Sequence, residues 1–333
     1  MRITERIHAF VQLGKYLENV SDKLESQMKQ AALKNPWFTH RNSMQALDSW
    51  AGLLSFKKLQ NWLDAYSLSD CLTDKKILIV MAGNIPLVGF HDLLCVLISG
   101  HKAVIKTSRS DDVLLPALIQ KLCELEPLYR NQIHYIEDVK DHSFDGVIAT
   151  GSDNSAQYFE YYFKDSKRII RKNRRSIAVL DGSETEKQLE GFSKDVFSYF
   201  GLGCRSVSTV FIPKGYDLDL LFSAFFPFKD LIYHKKYANN YDYNKAIYLM
   251  GNHKITENGF ILLKEQLSLH SPVAVLYYNY YNSRDEVVEF ISQHKHQLQC
   301  VISSKDTPFG QSQSPLISEY ADGVDTLDFL QSI

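Results

Sequence analysis

Apolar residues recur along this chain at two different periods. Over residues 1–70 they return every three to four positions. Leu47, Trp50, Leu54 and Trp62 mark one such stripe within 43–63, with Ser43 as its N-cap and Asn35-Pro36 as a break before it. This stretch is expected to be helical. From Lys75 onward, short apolar runs alternate with longer amphipathic ones. Runs at 77–81, 103–106, 133–136 and 146–149 predict four strands. Between them come a helix that stops at Gly100, a second over 112–125, and a third starting near Asn154. Strands at 168–171 and 177–180 follow, then a helix over 184–200 and a strand at 207–212. Two helical or irregular stretches fill 217–251, and 273–278, 284–293 and 299–303 read as one β-α-β unit.

Such alternation is the pattern of parallel sheets covered on both faces. It predicts an α/β protein of two lobes, each with a largely parallel sheet flanked by helices, behind an N-terminal helical segment. The expected divisions are a helical segment over 1–70, a Rossmann-like domain over 71–182, a second domain over 183–303 and a polar tail over 304–333, with the lobe boundary near 181–183. A length of 333 residues agrees with two cores rather than one.

Charge and cysteine usage narrow the function classes. A net charge of −2 lacks the positive excess that a nucleic-acid backbone demands, so nucleic acid is not expected as a partner. No apolar run approaches the roughly 18 residues of a membrane span, and MRITERIHAF has no signal-peptide core. Cys71, Cys95, Cys123, Cys204 and Cys300 are scattered without zinc spacing, so no metal is expected and the thiols read as reduced. These features together point to a cytoplasmic protein.

Few residues invite chemistry. Cys204 stands in a glycine-flanked turn between a helix and a strand, next to Arg205, which would favour the thiolate; the alternative is a buried structural thiol. Cys95, Cys123 and Cys300 lie in apolar stretches and read as core. Asn84 follows the first strand of the sheet, where ligands of open α/β sheets bind, and its amide could donate to an oxyanion or simply shape a turn. Lys106, Ser108 and Arg109 follow the second strand, where a lysine could hold a ribose or phosphate or be merely solvated. Gly151-Ser152 opens a helix, either as a phosphate site or as an N-cap. No GxGxxG fingerprint exists. The basic run Arg171-Lys172-Asn173-Arg174-Arg175 could meet coenzyme A phosphates or an acidic carrier, against a solvated face. His294 and His296 are badly spaced for a metal, and the tyrosines of 277–281 read as strand-end packing.

The segments AGNIPLVGF, VIKTSRSD, ATGSDNSAQYFEYYF, RIIRKNRRSIAVLDG, FGLGCRSVSTVFIP, SPVAVLYY and PFGQSQSPLISEYADGVDTLDFL occur in that order. Their order and spacing resemble the aldehyde dehydrogenase superfamily, and within it the acyl-CoA reductase family typified by the LuxC-type reductase of bacterial bioluminescence. The resemblance runs from about residue 35 to the end. It implies an aldehyde-dehydrogenase-like fold with a cofactor-binding domain over 71–182, a catalytic domain over 183–303 and a tail that returns to the active-site region. It implies that Cys204 is the nucleophile, that the Asn84 amide stabilises the oxyanion, that Lys106 and Ser108 take cofactor-ribose positions, and that Gly151 and Ser152 contact the pyrophosphate. Where many superfamily members carry a glutamate for the ribose hydroxyls of NAD, this chain has Arg109, which suits a 2′-phosphate and hence NADPH. The general-base glutamate of hydrolytic members should fall near Arg171, and another glutamate, a nicotinamide-ribose contact, near Ser268; neither is present. The expected activity is therefore NADPH-dependent reduction of a fatty acyl thioester, on coenzyme A or on an acyl carrier protein, to the aldehyde. The rival readings are a cofactor-independent acyltransferase or thioesterase using Cys204, and a non-catalytic acyl-binding protein. Homo-oligomerisation stays open, because the chain is shorter than typical superfamily members.

Overall fold

Four amphipathic helices come first: α1 (Ile3–Glu18), α2 (Asp22–Lys34), α3 (His40–Leu53) and α4 (Phe56–Leu63). Each buries one stripe, including Phe10, Leu13, Met28, Leu47 and Trp62. The computed structural model of the chain describes residues 1–139 and 142–333. Helix α3 starts earlier than the sequence suggests. Thr39 caps it by accepting the Asn42 N–H at 3.2 Å, and Ser43 is buried inside the helix with its hydroxyl turned to the Phe38 carbonyl. A threonine one residue before His40-Arg41 lets those two polar residues form the outer face of the first turn, which Ser43 as cap would leave unwound.

The chain divides into two compact units, Met1–Asn173 with Leu316–Ile333, and Arg174–Pro315. The first holds β1 (Lys76–Val80), α5 (Phe90–Ile98), β2 (Lys102–Lys106), α6 (Leu114–Leu125), β3 (Ile133–Tyr135), β4 (Gly146–Thr150), α7 (Asp153–Tyr162) and β5 (Arg168–Arg171). The strands are all parallel, in the order β3-β2-β1-β4-β5. The central strands β1 and β4 are apolar and buried except at an end residue, Lys76 in β1 and Thr150 in β4, because both faces are covered. The chain steps outward from β1 to β3 and then returns to β4 on the other side of β1. Neighbours β1 and β4 thus send their connections in opposite directions, and in open parallel sheets ligands bind beyond the carboxyl ends of strands at such a switch point.

The second unit contains β6 (Arg175–Val179), α8 (Glu186–Phe197), β7 (Val207–Pro213), α9 (Leu218–Phe225), α10 (Lys235–Met250), β8 (Thr256–Glu257), β9 (Leu262–Glu265), β10 (Val275–Tyr281), α11 (Arg284–His294) and β11 (Leu298–Ile302). Its sheet runs β11-β6-β7-β10-β9-β8, parallel except for β8 against β9. The division between units falls after Asn173, ahead of the expected 181–183, because β6 hydrogen-bonds to β7 and β11 rather than to β5. The expected β-α-β unit of 273–303 is not local either. β11 pairs with β6, two strands away from β10. The tyrosines of 277–281 lie within β10, where the buried Tyr281 donates to the Leu180 carbonyl at 2.8 Å. The tail, read as plain polar, contains α12 (Thr326–Gln331), which buries Leu327 and Leu330 in the first unit.

Candidate active site

Cys204 lies in the second unit, in the turn from α8 to β7. Helix α8 opens with a capping box between Thr185 and Gln188, but it stops short of the expected residue 200. The reason is backbone handedness: Tyr199 (φ 53°), Phe200 (φ 58°) and Gly201 (φ 74°) are consecutive left-handed residues. Gly201 takes this conformation without steric penalty. For Tyr199 and Phe200 it costs on the order of 1 kcal/mol or more each. Burial of both rings offsets that cost, Phe200 packing against His234 and Tyr237. The turn is closed by Leu202 N–H to the Tyr199 carbonyl and Ser206 N–H to the Gly203 carbonyl, each at 3.1 Å.

Four side chains, Ser176, Asp195, Gln313 and Arg205, hold the Cys204 turn or the segment packed on it. Ser176 of β6, fully buried, donates its hydroxyl to the Cys204 carbonyl at 2.9 Å and lies 3.0 Å from Cys300 Sγ. Asp195 of α8, also buried, accepts the N–H groups of Gly310 (2.6 Å) and Ser312 (3.0 Å), and burial pushes its carboxyl up from the usual range. The segment so held reaches the turn: Gln313 Nε2 donates to Ser206 Oγ at 3.3 Å, and Arg205 Nη1 lies 3.5 Å from the Ser312 carbonyl. Arg205, expected to favour the thiolate, thus also ties the turn to 310–313. Cys300 does pack on the core as expected, yet its thiol joins this polar group, and burial pushes it up to about 11.

In the first unit, Lys106 is the last residue of β2, and Asn84, Ser108, Arg109, Gly151 and Ser152 stand beyond the carboxyl ends of the adjacent strands β1, β2 and β4. Asn84 is exposed in the loop after β1. The loops after β1 and β2 touch, since a Cβ on Gly83 would come within 2.6 Å of Ser108 Oγ. The Lys106 ammonium donates to the Glu137 carbonyl, Ser108 Oγ accepts the Ser110 N–H at 3.2 Å, and Arg109 is exposed. Ser152 caps α7, accepting the Ser155 N–H at 3.3 Å. Gly151 lies so close to Ser155 that a Cβ would approach the latter's Cβ to 2.8 Å.

Asp111 carries no motif that marks it in the sequence. It is buried and accepts Leu87 N–H at 2.9 Å through one oxygen and Leu115 N–H at 3.3 Å through the other. It thereby ties the Asn84 loop, in which Leu87 is left-handed (φ 60°), to the start of α6, and burial pushes its carboxyl up to about 6. The basic run splits up. Arg171 is buried against Asp92, with Nη2–Oδ1 at 2.7 Å and Nε–Oδ2 at 3.3 Å; it also donates to the Ala321 carbonyl at 2.6 Å and to Thr326 Oγ1 at 2.9 Å. Lys172 pairs with Glu160 at 2.9 Å, and Arg174 donates to the Leu298 carbonyl at 3.1 Å. His294 Nδ1 faces the Phe290 carbonyl at 2.9 Å. Among the described residues, no three His, Cys, Asp or Glu side chains group as a metal site, and no helix is long and apolar enough to cross a membrane.

Comparison with known proteins bears on the fold and on the family. Among solved structures the chain is similar to aldehyde dehydrogenase 21 from Physcomitrella patens in complex with the reaction product succinate, with 12% identity, 91% of this chain and 74% of that one covered, and a TM-score of 0.66. It is similar to the P. syringae indole-3-acetaldehyde dehydrogenase AldA in complex with NAD+ and IAA, with 11% identity, 91% and 72% covered, and a TM-score of 0.68. Substrate-bound Staphylococcus aureus AldH gives 17% identity, 87% and 74% covered, and a TM-score of 0.58. At such identities the shared property is the fold, which is that of the aldehyde dehydrogenases. No curated protein sequence matches the chain. The family model of acyl-CoA reductase (LuxC) matches residues 14–220, a span that takes in every candidate residue described above up to β7. The chain belongs to the acyl-CoA reductase (LuxC) family.

Proposed function

We propose that this protein reduces a fatty acyl thioester, carried on coenzyme A or on a carrier protein, to the aldehyde, with Cys204 as nucleophile and NADPH as reductant. The observation that carries the reading is the Cys204 turn: a cysteine held on a left-handed, side-chain-buried hinge and anchored to the sheet, in a chain of this family. Its thiolate, formed by loss of the Cys204 proton, attacks the thioester carbonyl; the carbon–sulfur bond to the carrier breaks, the carrier leaves as a thiolate that takes up one proton in place of the one Cys204 released, and the acyl group remains on Cys204. We assign stabilisation of the oxyanion to the Asn84 amide.

Lys106, Ser108 and Arg109, with Gly151 and Ser152, would hold the dinucleotide. An ammonium, a hydroxyl and a guanidinium, with no carboxylate between residues 104 and 110, suit a 2′-phosphorylated ribose. Lys106 already rests on the Glu137 carbonyl, so exposed Arg109 is the cation for that phosphate. The dinucleotide, when bound, would supply a hydride to the acyl carbon; the carbon–sulfur bond to Cys204 then breaks, which releases the aldehyde and returns the Cys204 thiolate. The chain itself withholds the competing hydrolysis: residues 168–175 contain no acid that could activate water, and Arg171 is committed to Asp92.

NADPH absorbance with acyl-CoAs from short to long chain, run beside Cys204→Ser, tests this. Oxidation that requires acyl-CoA and vanishes in the variant is the expected result. NADPH oxidation that survives in Cys204→Ser would overturn the scheme. If nothing is consumed, the intact mass of the same samples decides: a gain of one acyl group leaves a cofactor-independent acyl-transfer enzyme, and no gain leaves a binding protein.

A further inference from the structure

We propose that Cys300 and Ser176 form a buried hydrogen-bond relay that positions Cys204, with the Cys300 thiol as its terminal donor. The proposal rests on Cys204 being the nucleophile. A serine hydroxyl has one proton and two lone pairs. The Cys204 carbonyl can only accept, so at 2.9 Å it takes the Ser176 proton. The 3.0 Å contact to Cys300 must then use Ser176 Oγ as the acceptor, and the thiol proton points at it. The donors run in one direction, Cys300 S–H to Ser176 O–H to the Cys204 carbonyl.

The sheet is irregular where this relay sits. Ser176 on β6 is registered opposite Cys300 on β11, and the register shifts between Leu298 and Cys300 on one side and between Ser176 and Ile177 on the other. Such irregularities re-aim side chains. Ser176 is held through its backbone as well, paired with Cys300 of β11 on one side and Val207 of β7 on the other. Burial keeps the Cys300 thiol protonated across the neutral range, so it serves as a donor and not as a second nucleophile.

Holding the Cys204 carbonyl anchors the peptide unit from which the Cys204 side chain projects, and so limits how far the thiolate can drift with the turn. Reaction rates fall steeply when a nucleophile is misplaced even slightly. Ser176 and Cys300 are thus positioning residues: neither touches substrate, and both act through the turn.

The test is the pH–rate profile of Cys204 alkylation by iodoacetamide, followed by peptide mass mapping, in Ser176→Ala, Cys300→Ala and Cys300→Ser, with the melting temperature of each. Loss of the hydroxyl is expected to change the Cys204 rate by about tenfold, and loss of the thiol by a few-fold. Cys300→Ser should restore the wild-type profile, because a hydroxyl replaces the lost donor. A Cys300→Ala or Ser176→Ala protein that melts lower but alkylates Cys204 with the wild-type profile would overturn the relay, since a merely structural role predicts that pattern. If Ser176→Ala does not fold, the alanine and serine variants of Cys300 decide alone. Alkylation needs neither NADPH nor acyl-CoA, so it reads the relay whether or not reduction is observed.

Discussion

Replacing Arg171 by methionine strands the Asp92 carboxylate in the interior of the first unit. The guanidinium is 4% exposed and its partner 10%. Burial works against the Arg171 charge, but Asp92 beside it outweighs that effect and holds the guanidinium above its ordinary range. Removing one member of such a pair costs about 3–5 kcal/mol, because the remaining charge is buried without compensation. The Ala321 carbonyl and Thr326 hydroxyl lose a donor at the same time. At roughly 2–4 °C per kcal/mol for a unit of this size, the variant should melt roughly 6–20 °C lower. Arg171→Met with Asp92→Leu removes both charges together and should recover most of the loss, to within about 2 kcal/mol of wild type. Urea unfolding followed by circular dichroism measures both. Limited proteolysis adds location, because Arg171 holds 321–326 and its loss should open 316–333 to cleavage first. A single variant that loses less than about 1 kcal/mol, or a double variant as unstable as the two single losses added together, would refute the claim that this pair is desolvated and coupled.

Two further outcomes follow from the unit that carries Asn84. Asp111 binds its proton more tightly in the folded protein than in the unfolded chain, since its carboxyl is pushed up to about 6. Its contribution to stability is therefore greatest below about pH 4 and is lost as the pH rises to about 6, a change of about 3 kcal/mol. Urea unfolding of wild type and Asp111→Asn at several pH values should show that difference between their curves, and parallel curves would contradict it. Arg109→Glu should weaken NADPH binding by about tenfold or more, or about 1.4 kcal/mol, while changing NADH binding much less. Fluorescence titration with both dinucleotides checks this, and equal losses for the two would remove Arg109 from the 2′-phosphate.

The strands of the first sheet were legible because burial on both faces leaves runs such as Ile77–Val80 and Ala103–Ile105 with no polar residue, a pattern that composition alone exposes. The positions at their carboxyl ends were legible for the same reason: once the strands are placed, so are Lys106, which closes β2, and Asn84 and Gly151 just past β1 and β4. What sequence could not give are facts of registry and handedness. Ser176 and Cys300 are 124 residues apart and meet only because β11 crosses to the far edge of the second sheet. Neither has a neighbour that marks it, so each reads as a small residue in an apolar strand. Tyr199 and Phe200 carry no local signal for a left-handed turn, because aromatic side chains disfavour it and only tertiary burial enforces it. Asp111 and Asp112 look alike in sequence, yet one turns inward to hold Leu87 while the other pairs with Lys34 at 2.8 Å on the outside. The basic run fails in the same manner. A charge count treats Arg171 to Arg175 as one patch, but a strand sends alternate side chains to opposite faces, and the loop after it sends the rest elsewhere. Arg171 is therefore internal, while Lys172 meets Glu160 near the surface. In each case the residue type was visible and its chemistry was plain. Its partner was not, because in a protein built from parallel strands the neighbours that matter are supplied by distant crossovers rather than by adjacent sequence.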